Sequence, residues 1–182
     1  MRISLFGGPG TGKSVTAAKV FVELRTKGHN IELCHEYVKN WAYENKVPKS
    51  FDQYYIFGKQ LHIEDVLLSN GVEHIVSDSP LMLQLVYMKR FFDVSPLISI
   101  IKEFDKKYPP LNIFLSREGI EYKQIGRWQD EAGAIEIDNQ IKDLLDFNSV
   151  PYNVVRTLDF DLLMRIIENA ISIDKIHKVP KF

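Results

Sequence analysis

Apolar residues along the chain fall into two kinds of segment that alternate. Short, nearly continuous apolar runs are followed by longer stretches in which apolar positions recur at helical spacing. This alternation predicts repeated strand–helix–strand units and a parallel sheet. The predicted fold class is therefore α/β, a three-layer αβα sandwich with a five-stranded parallel sheet.

The boundaries of these segments are marked by turn and cap residues. Gly28 and Gly71 each follow a helical stretch, and the pair Pro109–Pro110 is predicted to end another. The predicted strands are 2–6, 31–35, 72–77, 112–116 and 152–156. The predicted helices are 13–27, 51–69, 81–92, 96–107, 129–147 and 160–173. One domain over 1–174 is expected, followed by a loose tail over 175–182.

The sequence GGPGTGKS, residues 7–14, lies between the first predicted strand and the first predicted helix. It fits the phosphate-binding pattern G-x-x-x-x-G-K-[ST], in which glycines let backbone N–H groups turn toward phosphate oxygens. We expect Lys13 to reach the β- and γ-phosphates and Ser14 to ligate Mg²⁺. The predicted cofactors are ATP and Mg²⁺. The predicted nucleotide-binding residues are Gly7, Gly8, Gly10, Thr11, Gly12, Lys13, Ser14 and Val15.

Two other classes of nucleotide-binding protein fit poorly. A GTPase needs an Asn-Lys-x-Asp segment, but Asn45-Lys46 is followed by Val47 and Pro48. A remodelling ATPase usually carries an additional helical domain, for which 182 residues leave no room. A small kinase instead needs an acceptor-side carboxylate, an acidic residue for Mg²⁺ and an arginine-bearing lid.

A candidate acceptor carboxylate follows the second predicted strand. Glu36 lies just past the carboxyl end of that strand, at the edge where open α/β sheets bind ligands. A carboxylate there can orient or deprotonate an acceptor hydroxyl, although a surface glutamate remains the alternative. Residues 36–41, EYVKNW, resemble the Glu-x-Val-x-x-Trp segment of the deoxyribonucleoside kinases. The resemblance implies that Glu36 faces a nucleoside 5′-hydroxyl and that Trp41 lines the base pocket.

The next helix is similar to the glutamine- and tyrosine-bearing helix of that family, which contacts base and sugar. The resemblance implies substrate-binding roles for Gln53 and Tyr54. An exposed glutamine beside a core-facing aromatic residue is an equally open interpretation of this pair.

The chain departs from that family after the third predicted strand. It has Ser77-Asp78-Ser79-Pro80 where the family has Glu-Arg-Ser. The strand resembles a Walker B strand, so Asp78 is expected to hold Mg²⁺ or orient the acceptor. The alternative is an N-cap for the following helix.

A glycine-containing segment with two arginines follows the fourth predicted strand. Arg117 and Arg127 flank Gly119 and Gly126, which predicts a mobile lid over about 117–133. Guanidinium groups on such a lid can bind the equatorial oxygens of the transferring phosphoryl group. An ordinary charged loop is the alternative. The pattern Tyr-x-x-x-Gly-Arg-x-Gln from Tyr122 resembles phage and bacterial P-loop kinases near the nicotinamide riboside kinases.

These motifs together indicate an ATP-dependent kinase of the nucleoside and nucleotide kinase superfamily. The predicted catalytic residues are Lys13, Glu36, Asp78, Arg117 and Arg127, with Ser14 and Asp78 as metal ligands. The expected acceptor is a nucleoside or nucleoside monophosphate, with a hydroxyl slightly favoured because few arginines follow the second and third strands. Arg90 and the lysines are the cations available there.

Two alternatives remain open. One is a kinase acting on a hydroxyl in DNA or RNA, at an end or on a modified base, because aromatic residues interleave with lysines over 39–55. The other is a P-loop ATPase switch without a small-molecule acceptor.

Composition limits the partners. The net charge of −1 provides no overall field for nucleic acid, which is therefore not favoured. Cys34 is the single cysteine, so no intramolecular disulfide forms. No apolar run reaches the length of a membrane helix and no signal peptide is evident, so a cytoplasmic protein is expected. A homodimer through the apolar helices of 81–101 is an alternative to their burial in the core.

Overall fold

The computed structural model describes residues 1–38, 41, 43–123 and 129–178. Within these residues the strands are β1 Arg2–Phe6, β2 Ile31–Cys34, β3 His74–Ser77, β4 Pro110–Ser116 and β5 Asn153–Arg156. The helices are α1 Lys13–Thr26, α2 Asp52–Ser69, α3 Leu81–Met88, α4 Ser95–Lys107, α5 Glu131–Phe147 and α6 Phe160–Lys178. Over the described part of the chain, no helix is both long and apolar enough to cross a membrane.

The five strands form one parallel sheet in the order β2-β3-β1-β4-β5. The first strand of the chain therefore lies at the centre, paired with β3 on one side and β4 on the other. All five strands end at the same edge of the sheet, which is where ligands bind in folds of this kind. The α/β prediction with a five-stranded parallel sheet is confirmed.

Helices cover both faces of the sheet. Ile3 and Leu5 of β1 pack with apolar residues of α1 and α6 on one face. Phe6 and Phe114 pack with apolar residues of α2 to α5 on the other. Successive side chains of a strand point to opposite faces, so a run such as RISLF can be buried on both sides. This arrangement is the predicted three-layer sandwich.

Helix α3 is part of the hydrophobic core. Its apolar side chains, from Leu81 to Met88, are buried within the protein itself. Burial in the core therefore accounts for this helix without a second copy. The homodimer remains a prediction.

Ten element ends differ from the predictions, by one to five residues, and three of these differences change the picture of the fold. α3 ends at Met88 instead of residue 92, and residues 89–91 form a turn in which the Phe91 N–H bonds to the Met88 carbonyl at 2.9 Å, three residues back. β4 begins at Pro110, which was predicted to lie before the strand. Proline is tolerated as the first residue of a strand, where its missing N–H costs little. α6 runs to Lys178, so the first four residues of the predicted tail are helical.

A buried ionic cluster fixes α2 and α4 to the start of β1. The Arg2 side chain, 4% exposed, bonds to Glu64 at 3.0 Å and to Asp105 at 2.5 Å. Its guanidinium carbon also lies 4.5 Å from the centre of the Phe104 ring. Gln60 donates to Glu64 at 3.1 Å. Burial raises the pKa of the Glu64 carboxyl, and the charge of Arg2 opposes that shift.

Candidate active site

A cavity of about 560 Å³ lies at the edge where β1, β2 and β3 end. The loop after β1 forms one wall, and residues that follow β2 and β3 form others. The loop residues on the wall are Pro9, Gly10, Gly12, Lys13, Ser14 and Val15. The polar residues facing them include Glu36, Gln53, Asp78, Gln84, Tyr87, Arg90 and Gln129. The chain thus places the predicted phosphate loop and both candidate carboxylates around one space.

The phosphate loop has the left-handed backbone that its sequence requires. Gly10 has φ of 86° and Gly12 has φ of 79°, values that favour glycine. The Thr11 hydroxyl donates to the Gly8 carbonyl at 2.9 Å, and the Thr157 hydroxyl donates to the Thr11 carbonyl at 2.8 Å. These two hydrogen bonds, both between groups of the protein, stabilise the conformation of the loop.

The Lys13 ammonium binds backbone carbonyl groups of the phosphate loop itself. Its ammonium donates to the Gly7 carbonyl at 2.6 Å and to the Gly8 carbonyl at 2.9 Å. Burial lowers the pKa of Lys13, while the nearby carboxylates of Glu36, Asp78 and Asp138 oppose the shift. A polyphosphate in the cavity would add negative charge beside this ammonium and stabilise its charged form.

Asp78 is a buried carboxylate on the cavity wall with an oxygen available to a ligand. The residue is 2% exposed, and its Oδ1 atom has no hydrogen-bond partner among the described residues. The N-cap of α3 is Pro80, with no side-chain cap bond, so the alternative that Asp78 caps this helix is wrong. An unsatisfied carboxylate oxygen that shares a cavity with the Ser14 hydroxyl fits Mg²⁺, which prefers oxygen ligands.

Two of the four predicted acceptor-side residues line the cavity. Glu36 lies two residues beyond β2, and Gln53 is 7% exposed on the first turn of α2. Trp41 and Tyr54 are not on the cavity wall. The Tyr54 ring instead contacts the rings of Phe51 and Phe92, at 5.8 and 4.7 Å between centroids. The substrate-binding roles of all four residues remain predictions.

Arg117 is not on the cavity wall. It bonds both to the phosphate loop and to α5. Its Nε donates to Asp138 at 2.5 Å, and its terminal nitrogens donate to the Pro9 carbonyl at 3.3 Å and to the Ala134 carbonyl at 3.1 Å. The second oxygen of Asp138 accepts from the Gly8 N–H at 2.5 Å. The loop is therefore clamped to α5. A direct role for Arg117 on the phosphoryl group remains a prediction.

The second predicted lid arginine, Arg127, lies outside the described residues, as does Gly126. The described residues before and after 124–128, the middle of the predicted lid, contact the phosphate loop and one another. The Tyr122 ring lies so close to Gly10 that a Cβ there would be 2.7 Å from a ring carbon. The Tyr122 hydroxyl donates to the Gln129 carbonyl at 2.5 Å.

Sequence reasoning missed three residues of this region. Asp138 could not be distinguished from the other acids of α5, because its partners Gly8 and Arg117 lie 130 and 21 residues earlier in the chain. Gln84 and Tyr87 offered a signal, since they are polar groups within the apolar helix LMLQLVYM. Gln84 donates to Ser79, and burial raises the pKa of the Tyr87 phenol, with the charge of Glu36 adding to the shift.

Changing Gly8 to alanine is expected to weaken ATP binding by about tenfold or more, or roughly 1.4 kcal/mol. A Cβ at Gly8 would lie 2.5 Å from the Ala134 carbonyl oxygen and 2.8 Å from Asp138, so the loop must move off α5. Titration calorimetry with ATP·Mg²⁺ measures the effect.

The matched control is Gly58→Ala, in the exposed middle of α2, where a Cβ meets no atom within 4 Å. It should leave ATP affinity unchanged and raise the free energy of unfolding by about 0.5–1 kcal/mol. Equal ATP affinity in both variants would show that the clamp does not shape the loop.

A family model described as an AAA domain matches residues 2–161 of the chain. No curated protein sequence matches it significantly.

Several solved structures share the fold. Deoxyadenosine kinase from M. mycoides with the products dCMP and dCDP is 20% identical, with a TM-score of 0.54, over 94% of this chain and 99% of that one. The same enzyme with bound dATP is 18% identical, with a TM-score of 0.51, over 94% and 100%. With bound dCTP it is 19% identical, with a TM-score of 0.51, over 94% and 99%. The chain thus belongs to this AAA domain family and has the α/β fold of the P-loop nucleoside kinases.

Proposed function

We propose that the protein is an ATP-dependent kinase that transfers the γ-phosphoryl group to a hydroxyl of a nucleoside-type acceptor. One observation carries the proposal: a phosphate loop and two carboxylates from different strand ends face the same cavity. The shared fold with deoxyadenosine kinases supports the acceptor class, because those proteins act on a nucleoside and cover nearly the whole chain.

The loop would hold the triphosphate of ATP with its backbone N–H groups and Lys13. Ser14 and Asp78 would hold Mg²⁺, which neutralises charge on the phosphates when bound. Glu36 would orient the acceptor hydroxyl and take its proton. The acceptor oxygen would then bond to the γ-phosphorus while the bond to the leaving ADP breaks. Positioning and charge stabilisation supply most of the catalysis in such a transfer.

A second candidate is an ATPase that transfers phosphate only to water. The description of the matching family as an AAA domain favours it, because that name belongs to ATP-hydrolysing proteins. The geometry favours the kinase, since the cavity extends past the phosphate loop to Gln53, Tyr87 and Arg90 and so has room for an acceptor.

Acceptor dependence distinguishes the two. The protein is incubated with γ-labelled ATP, Mg²⁺ and separate pools of nucleosides and nucleoside monophosphates, and the products are separated. We expect label on one pool and faster ADP release when that pool is present. Label only in inorganic phosphate, at one rate with every pool, would overturn the kinase and support the ATPase.

A further inference from the structure

Four aromatic rings form a continuous surface that leads outward from the cavity. Phe91 lines the cavity, and its ring centroid lies 6.2 Å from that of Phe92. Phe92 contacts Tyr54 at 4.7 Å and Phe51 at 5.2 Å, and Phe51 stacks on Tyr54 at 5.8 Å. We call these four residues the aromatic rim.

Three of the four side chains of the aromatic rim are exposed to solvent, although large aromatic side chains are usually buried. Phe51 is 73% exposed, Phe91 is 50% exposed and Tyr54 is 36% exposed. Tyr43, also on the cavity wall, is 69% exposed. A contiguous patch of exposed apolar surface beside a cavity indicates a binding site.

The charge beside the rim is positive. Arg90 lines the cavity, and the exposed residues Lys49 and Lys89 are close to the rim in sequence. These three cations form no ion pair within the described ranges. Asp52 and Asp93 also flank the rim and keep their negative charges while they accept hydrogen bonds from the Lys49 N–H and from Ser95, so the three cations leave a local charge of about +1.

Single-stranded nucleic acid binds to protein surfaces on which exposed aromatic rings lie beside cations that form no ion pair. Bases stack on the rings whatever their sequence, and arginine or lysine binds the phosphodiester. In the proposed reaction a cavity of about 560 Å³ already holds the phosphates of ATP and the accepting nucleoside, a volume typical of small-molecule sites. A second nucleotide of a strand would therefore remain outside, against the aromatic rim.

We propose that the acceptor is the terminal nucleotide of a single-stranded nucleic acid, with its neighbouring base stacked on the aromatic rim and its phosphodiester bound by Arg90. This rests on the proposed kinase function. The terminal hydroxyl oxygen bonds to the γ-phosphorus, its proton passes to Glu36, and ADP leaves. The overall charge of −1 does not oppose this, because the cations are local to the rim.

The test compares a free nucleoside with single-stranded DNA and RNA of about ten nucleotides that carry terminal hydroxyls. Phosphoryl transfer from labelled ATP is measured for each acceptor, and nuclease digestion locates the label. We expect label at one terminus of the oligonucleotide, with kcat/KM at least about tenfold above that of the nucleoside, the gain from one stacked base.

Phe51→Ala is the diagnostic variant, because Phe51 lies at the outer end of the rim and off the cavity wall. It should lower kcat/KM for the oligonucleotide about tenfold more than for the nucleoside. Phe147→Ala is the matched control. Phe147 is 87% exposed at the end of α5, outside the rim, and its loss should leave both acceptors unaffected.

Label on the free nucleoside but never on an oligonucleotide would overturn this inference and leave the proposed function standing. Label on neither acceptor would remove both. Sedimentation that shows a dimer dissociated by Phe51→Ala and not by Phe147→Ala would also overturn it, because the rim would then be covered by a second copy.

Discussion

Replacing Glu36 with glutamine is expected to lower kcat for phosphoryl transfer by about 10²–10⁴-fold, while ATP affinity stays within about twofold. Glutamine keeps the size and a hydrogen-bonding oxygen, but it cannot take the proton of the acceptor hydroxyl. The phosphate loop lies on a different wall of the cavity and should be unaffected. Rates come from transfer of labelled phosphate at saturating acceptor, and affinity comes from calorimetry.

The matched control for this variant is Glu32→Gln. Glu32 lies on β2, the strand that precedes Glu36, and its half-exposed carboxylate is 3.8 Å from Arg25, away from the cavity wall. Activity close to that of the unaltered protein is expected for Glu32→Gln. If Glu36→Gln were equally active, the acceptor would not use Glu36 as its base, and Asp78 would become the candidate.

Replacing Arg2 with methionine is expected to lower the free energy of unfolding by about 3–5 kcal/mol. The change leaves the Glu64 carboxylate, 1% exposed, without its cation. Urea unfolding at neutral pH measures the loss. Lys107→Met serves as the control: its partner Asp65 is 3.4 Å away on the surface, and about 1 kcal/mol or less should be lost.

The double variant Arg2→Met, Glu64→Leu should recover much of that loss, because it leaves no unpaired charge at Glu64.

The loss of stability in Arg2→Met should depend on pH in a defined direction. Burial already raises the pKa of Glu64, and removing Arg2 takes away the charge that opposes the shift. A carboxyl with a raised pKa in the folded state stabilises that state when protonated, so the deficit of Arg2→Met should shrink as pH falls. A deficit that grows on acidification would contradict this explanation.

The sequence was sufficient for features that are determined locally. The phosphate loop between β1 and α1 was predicted residue by residue, since glycine spacing and the flanking apolar pattern lie within one short segment. Glu36 and Asp78 were placed at the cavity because strand ends in a parallel sheet share an edge.

Features that depend on distant contacts were not predictable in this way. The clamp on the phosphate loop joins Gly8 to Asp138, and no local pattern links them. α3 ends at Met88 in a turn over residues 89–91, whereas the apolar residues Phe91 and Phe92 led to a predicted end at residue 92. Two residues of the aromatic rim, Phe91 and Phe92, lie in and directly after that turn.

The central position of β1 has a consequence for the newly made chain. This strand precedes the other four along the chain, but its hydrogen-bonding partners are β3 and β4, which begin at His74 and Pro110. Asp138, which secures the loop after β1, follows later still. On the ribosome the cavity can therefore form only after Asp138 has emerged, and a bound nucleotide would stabilise the growing chain only from that point.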